Sequence, residues 1–224
     1  MADFRHEWKF EINAMDAAVI RSRLRAVAET DSHGLDGKYE IRSLYFDNLM
    51  DKALREKLDG VNMREKFRIR CYNRDTTFIH LEKKRKCNGL TGKESIILSA
   101  DEVRKITEKD YRFMADEKKP LLAELYSKIM AQGLAPKTIV DYTREAFVYA
   151  PGNVRVTLDY NIRTGLGSTD FLNPDCVMIP AGDAGIIMEV KWDAFLPDII
   201  RDAVQLKGRG AGTYSKYAAC RIYG

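Results

Sequence analysis

Two arginines, Arg68 and Arg70, stand two residues apart in a stretch that alternates charged and apolar side chains. On an extended strand such residues share one face roughly 7 Å apart, a spacing that can bracket neighbouring phosphate groups. The same alternation recurs along the chain. Trp8, Phe10 and Ile12 oppose Arg5, Glu7, Lys9 and Glu11, and Phe67, Ile69 and Cys71 oppose Lys66, Arg68 and Arg70. Ile79 and Leu81 oppose His80, Glu82, Lys84 and Lys86, Val156 and Leu158 oppose Arg155, Thr157 and Asp159, and Met188, Val190 and Trp192 oppose Glu189 and Lys191. Lys and Arg at this density suit phosphate oxygens, and the few carboxylates among them suit a divalent cation. Alternation alone is also what a half-buried sheet with a solvated outer face shows.

The elements that must carry these faces follow from the same periodicity. Strands are expected over about 4–13, 41–47, 65–73, 77–86, 93–98, 139–149, 154–162 and 186–193, and helices over about 14–29, 100–107, 117–132 and 196–206. Ser99 stands at a helix start and Gly133 just past a helix end. Strands that follow one another without an intervening helix favour antiparallel hairpins, so the class is α+β. If the helices cover the apolar face from outside, a closing sheet turns its ionic face into the lumen. Enclosed charges then need a charged ligand or each other. Residues 164–183 read as a long loop, and the whole chain, 1–224, reads as one domain.

Several chemistries are excluded. There is no P-loop and no GxSxG elbow, and the glycines at 208, 210 and 212 do not open a helix after a strand as a dinucleotide fingerprint requires; they read as a flexible loop. Four scattered cysteines without CxxC spacing, and histidines only at 6, 33 and 80, give no zinc pattern and fit a reducing cytoplasm. No apolar run is long enough to cross a bilayer, and no secretory signal is expected at the start. A net charge of +4 is a mild hint of anionic partners.

The succession Glu7-Trp8-Lys9-Phe10-Glu11, Ile41-Arg42-Ser43-Leu44-Tyr45-Phe46-Asp47, Arg68-Ile69-Arg70-Cys71-Tyr72, Leu81-Glu82-Lys83-Lys84, Val154-Arg155-Val156-Thr157-Leu158-Asp159, Met188-Glu189-Val190-Lys191 and Tyr214-Ser215-Lys216-Tyr217 resembles the VTC domain, the polyphosphate polymerase domain of the vacuolar transporter chaperone complex. That family belongs to the CYTH-like triphosphate tunnel metalloenzymes. The resemblance implies a closed antiparallel eight-stranded β-barrel with helices packed outside. It implies phosphate binding by Lys9, Arg68, Arg70, Lys84 and Arg155, metal binding by Glu189, and one end closed by Ser215 and Lys216. Lys93 and Arg144 are further candidate substrate ligands, and Glu7 and Glu82, on the same ionic faces, further candidate metal ligands.

The implied reaction is transfer of the ATP γ-phosphate to inorganic phosphate or a growing polyphosphate chain with Mn²⁺ or Mg²⁺, without nucleic acid. A triphosphate hydrolase of the same superfamily, or a module that binds polyphosphate without turnover, would use the same residues. Two positions depart from the pattern. Arg5 occupies the first Glu position of the Glu-x-Glu-x-Lys start of triphosphatase members, and Thr213 stands where the polymerase carries a further Lys.

Overall fold

The structure is a computed structural model describing residues 4–32, 34, 37–115, 118–182 and 185–221. Ten strands form one antiparallel sheet: β1 (His6–Ile12), β2 (Glu29–Thr30), β3 (Lys38–Asp47), β4 (Arg64–Tyr72), β5 (Ile79–Cys87), β6 (Leu90–Leu98), β7 (Ala135–Tyr149), β8 (Val154–Thr164), β9 (Ile179–Pro180) and β10 (Ile186–Trp192). The eight long strands run in the order β1-β10-β8-β7-β3-β4-β5-β6, with β2 and β9 as short additions to β7 and β8. Residues 164–183 form the expected loop apart from Thr164, which ends β8, and the short β9; Arg42 of β3 also donates to the Asn173 carbonyl at 2.7 Å and Phe171 is buried in the core, while Asp183 lies outside the described residues. His33 lies outside them as well.

The sheet curls but does not close, which corrects the expected closed barrel. Its edges, β1 and β6, meet through one bridge, Arg5 to Thr91, with backbone hydrogen bonds of 3.0 and 3.1 Å. Beyond that bridge the lumen face of β6, with Lys93, Ser95 and Ile97, is exposed. Charged side chains on an edge strand discourage further pairing, and the seam stays open to water.

Local sequence explains the joints. The β5–β6 hairpin turns on Asn88-Gly89, both at positive φ (49° and 82°), the conformation that a two-residue hairpin matching the sheet twist demands. Helix α3 (Ala100–Thr107) starts at a capping box in which Ser99 and Glu102 satisfy each other's backbone N–H groups. Helix α4 (Pro120–Gln132) begins on a proline and ends at Gly133 in the left-handed region; the expected start at 117 lies outside the described residues. The remaining helices are α1 (Ala14–Val27), α2 (Lys52–Leu58), α5 (Asp198–Val204) and α6 (Lys216–Ala219).

Apolar faces are covered from outside as periodicity required. Phe67, Ile69 and Leu81 pack against Ile106, Leu122 and Leu125 of α3 and α4. Val156, Leu158, Met188 and Val190 pack against Ile20, Leu24 and Ile200 of α1 and α5. Each of these fully buried side chains contributes about 1.5–3 kcal/mol of burial. A third cluster fills part of the lumen, where Tyr217 and Cys220 of the C-terminal segment sit against Tyr45, Val140 and Tyr142. The helix α6 is thus a plug, pinned by the Tyr217 hydroxyl donating to the buried Asp47 carboxylate at 2.7 Å.

Candidate active site

With one face packed on helices, the other row of each strand converges on a cavity of about 150 Å³. Eleven Lys and Arg residues line it against three Glu, with Glu82 and Asp159 bound to four of the cations from behind, and the remaining excess of positive charge favours an anion. Register decides who meets whom. Lys9 of β1 pairs across from Glu189 of β10, Arg68 of β4 from Glu82 of β5, and Arg144 of β7 from Asp159 of β8.

Glu189 is the hub. Its carboxylate accepts from Lys9 Nζ at 2.8 Å and Lys216 Nζ at 3.0 Å, with Lys191 at 3.5 Å and Arg144 at 3.7 Å. Burial alone would raise its pKa, but these cations outweigh burial and hold it well below the usual carboxylate range. Glu7 accepts from Lys84 at 3.2 Å and lies 3.5 Å from Lys191 and 3.7 Å from Lys9; it too is held below its usual range against the effect of burial. Lys216, presented by α6 behind its N-cap Ser215, also contacts Asp159 at 2.5 Å and lies over the Tyr142 ring. The glycine-rich loop docks through Gly212 N–H to the Lys9 carbonyl at 2.7 Å and Arg209 Nε to Asp16 at 2.9 Å, and Thr213 and Ser215 reach the cavity wall.

Arg68 and Arg70 line the cavity from β4. Arg68 Nε donates to Glu82 at 2.7 Å and its Nη1 to the Tyr45 hydroxyl at 3.1 Å; Arg70 donates to Ser43 Oγ at 3.0 Å and to the Tyr142 hydroxyl at 3.1 Å. These contacts fix both guanidinium groups before any ligand arrives. Burial opposes the charged tyrosinate of Tyr45, yet Arg68, Lys66 and Arg70 outweigh it and bring the phenol down to about 7.

Nine of the twelve residues expected at a site come together here: Glu7, Lys9, Arg68, Arg70, Lys84, Arg144, Glu189, Ser215 and Lys216. Three do not line the cavity. Arg155 donates to the Tyr39 hydroxyl at 2.6 Å and to Asp31; Glu82 stands behind Arg68, held also by Lys93 at 3.2 Å and Arg70 at 3.7 Å; and Lys93 is 54% exposed at the open seam. Sequence reading passed over Lys66, Tyr45 and Tyr142 as site residues. Lys66 shares strand parity with Arg68 and Arg70, so that signal was present. Among the described residues it makes no salt bridge to a carboxylate, resting instead over the Tyr45 ring at 5.2 Å. Burial, with Arg68 and Lys9 nearby, pushes its ammonium down to about 8.

Among the described residues no group of three or more His, Cys, Asp or Glu gathers as a self-sufficient metal cage. Glu7 and Glu189, both bracketed by Lys9 and Lys191, supply two carboxylates facing an anion cavity. That donor set fits Mg²⁺ or Mn²⁺, which are commonly held by one or two carboxylates together with substrate phosphates. Glu82 does not join Glu7 and Glu189, because it stands behind Arg68 and does not line the cavity.

The curled antiparallel sheet with outer helices recurs among solved structures. Its backbone is similar to the PH1012 protein from Pyrococcus horikoshii OT3 (TM-score 0.51, 14% identity, 95% of this chain and 96% of that one). It is also similar to a candidate adenylate cyclase from Bacillus halodurans (TM-score 0.51, 12% identity, 84% and 80%). No curated protein sequence matches. The model of the VTC domain family matches residues 4–222, and the chain belongs to that family. No helix among the described residues is long and apolar enough to cross a membrane.

Proposed function

We propose that this protein is a metal-dependent phosphotransferase of polyphosphate-polymerase type, moving the γ-phosphate of ATP to inorganic phosphate or a growing polyphosphate chain. The observation that carries this reading is the imbalance of eleven cations and three carboxylates around one cavity, with Lys66, among the described residues, in no salt bridge to a carboxylate. Phosphoryl transfer needs little covalent chemistry from a protein; positioning and charge stabilisation do most of it. Arg68 and Arg70, already fixed by Tyr45, Ser43 and Tyr142, hold the oxygens around the transferring phosphorus. Lys84, Lys9 and Lys66 neutralise the leaving diphosphate as its bond to the γ-phosphorus breaks and the acceptor oxygen bonds in its place. Glu189 and Glu7 would hold a divalent cation, which would supply further neutralisation of phosphate charge. Lys93, exposed at the seam outside the cavity, would meet a chain that extends beyond it.

The open seam between β1 and β6 favours a second reading, hydrolysis, because water reaches the lumen beside Lys93. One experiment separates them. Purified protein is incubated with ATP and Mn²⁺ and the products are resolved on a gel, alongside Glu189→Gln and Arg68→Ala. Long phosphate chains made by wild type and lost in both variants are expected. Free phosphate without chains means hydrolysis, tight binding without turnover means a binding module, and full activity in both variants refutes the site.

A further inference from the structure

The lumen changes character from one end to the other. Beside the cavity its wall is cationic, but one cross-strand step beyond Arg70 it becomes aromatic. Arg70 of β4 pairs directly with His80 of β5, and cross-strand partners have their Cβ atoms within about 5.5 Å. His80 packs edge to face with Phe78 at 4.5 Å and with Tyr72 at 6.2 Å, and Tyr72 continues to Tyr39 at 5.9 Å. Tyr39 in turn accepts from Arg155. The outer part of this row is open: Phe78 is 49% exposed, and Ile97, the partner of His80 on β6, is 52% exposed. A large ring left half-solvated beside a cation-lined cavity suits a ligand that is flat and apolar at one end and multiply anionic at the other.

We propose that Phe78, His80 and Tyr72 form the subsite for the nucleobase of a nucleoside triphosphate whose phosphates extend past Arg70 into the cavity. This rests on the phosphate-binding reading above and adds to it the direction in which the donor lies. Recognition is by stacking, which every base offers, so purine and pyrimidine triphosphates are both accepted. Free tripolyphosphate uses the cavity and ignores the aromatic row.

The test compares two ligands on the whole protein. Calorimetry in EDTA, where no metal supports turnover, measures the affinity of ATP and of tripolyphosphate for wild type, Phe78→Ala and Phe78→Trp. Loss of one stacking ring weakens ATP about tenfold in Phe78→Ala and spares tripolyphosphate, while Phe78→Trp keeps ATP affinity. Equal weakening of both ligands, or no change in either, overturns the subsite and leaves the phosphate cavity standing. Wild type that binds neither ligand refutes the cavity reading, and the subsite with it.

Discussion

Replacing Lys66 by Met should move stability and ligand affinity in opposite directions. Lys66 lies on the cavity wall, largely withdrawn from water, with Tyr45, Arg68, Lys9 and the more distant Glu7 as its charged or titratable neighbours. Its ammonium falls from the ordinary 10.5 to about 8. At about 1.36 kcal/mol per pKa unit, carrying the charge at neutral pH costs the ligand-free fold at most about 3 kcal/mol. The sign follows from a folded-state value below the unfolded one: the cost is complete below pH 8 and fades as pH rises from about 8 to 10.5. Met fills similar space without charge, so the melting temperature of Lys66→Met at pH 7 rises by several degrees, at about 2–4 °C per kcal/mol for a chain of this size.

Affinity should do the reverse. A buried ammonium that gains a phosphate partner contributes about 1.5–3 kcal/mol, so tripolyphosphate binding by Lys66→Met weakens roughly 10- to 100-fold. Binding to wild type weakens as pH rises, first as Tyr45 ionises near 7 and then as Lys66 loses its proton near 8. Lys66→Arg, which keeps its charge, retains only the first of these steps. Differential scanning fluorimetry without ligand and calorimetry with tripolyphosphate read the two halves. A lower melting temperature with unchanged affinity would show that Lys66 is a structural residue and that the cavity does not select anions.

Two further substitutions probe the scaffold. Asp47 accepts hydrogen bonds from the backbone N–H of Ala53 and Leu54 and from the Tyr217 hydroxyl, so Asp47→Ala should cost about 2–4 kcal/mol and loosen the α6 plug. Cys220, fully buried with its thiol pushed up to about 12 by burial, then becomes accessible to iodoacetamide, as peptide mapping would show; lost activity with Cys220 still protected contradicts the plug. Gly152 sits at φ 73° with a Cβ position 2.4 Å from the Phe195 carbonyl oxygen, so Gly152→Ala should cost about 2–4 kcal/mol and lower the melting temperature. Activity per folded molecule should be unchanged, since Gly152 does not line the cavity.

Strand parity made most of the site legible before any coordinates. The split of Phe67, Ile69 and Cys71 from Lys66, Arg68 and Arg70 depends only on side chains alternating along a strand, and the apolar rows of β4, β5, β8 and β10 are buried as it requires, whereas Trp8 of β1 stays 37% exposed. Closure was not legible, because whether β1 meets β6 depends on accumulated twist and on edge geometry rather than on any local residue. Nor was partnership. The Arg68–Arg70 pair looks like the strongest anion site in the sequence, yet cross-strand register places Glu82 against Arg68 and within 3.7 Å of Arg70, so part of their charge is answered within the protein. Lys66, two residues earlier and passed over, lies across from Lys84 instead of a carboxylate. Arg155 shows the opposite: it carries the parity of a site residue, but its charge is spent on Asp31 and Tyr39. Affinity for an anion follows the charge that register leaves uncompensated, and register is a property of two strands at once.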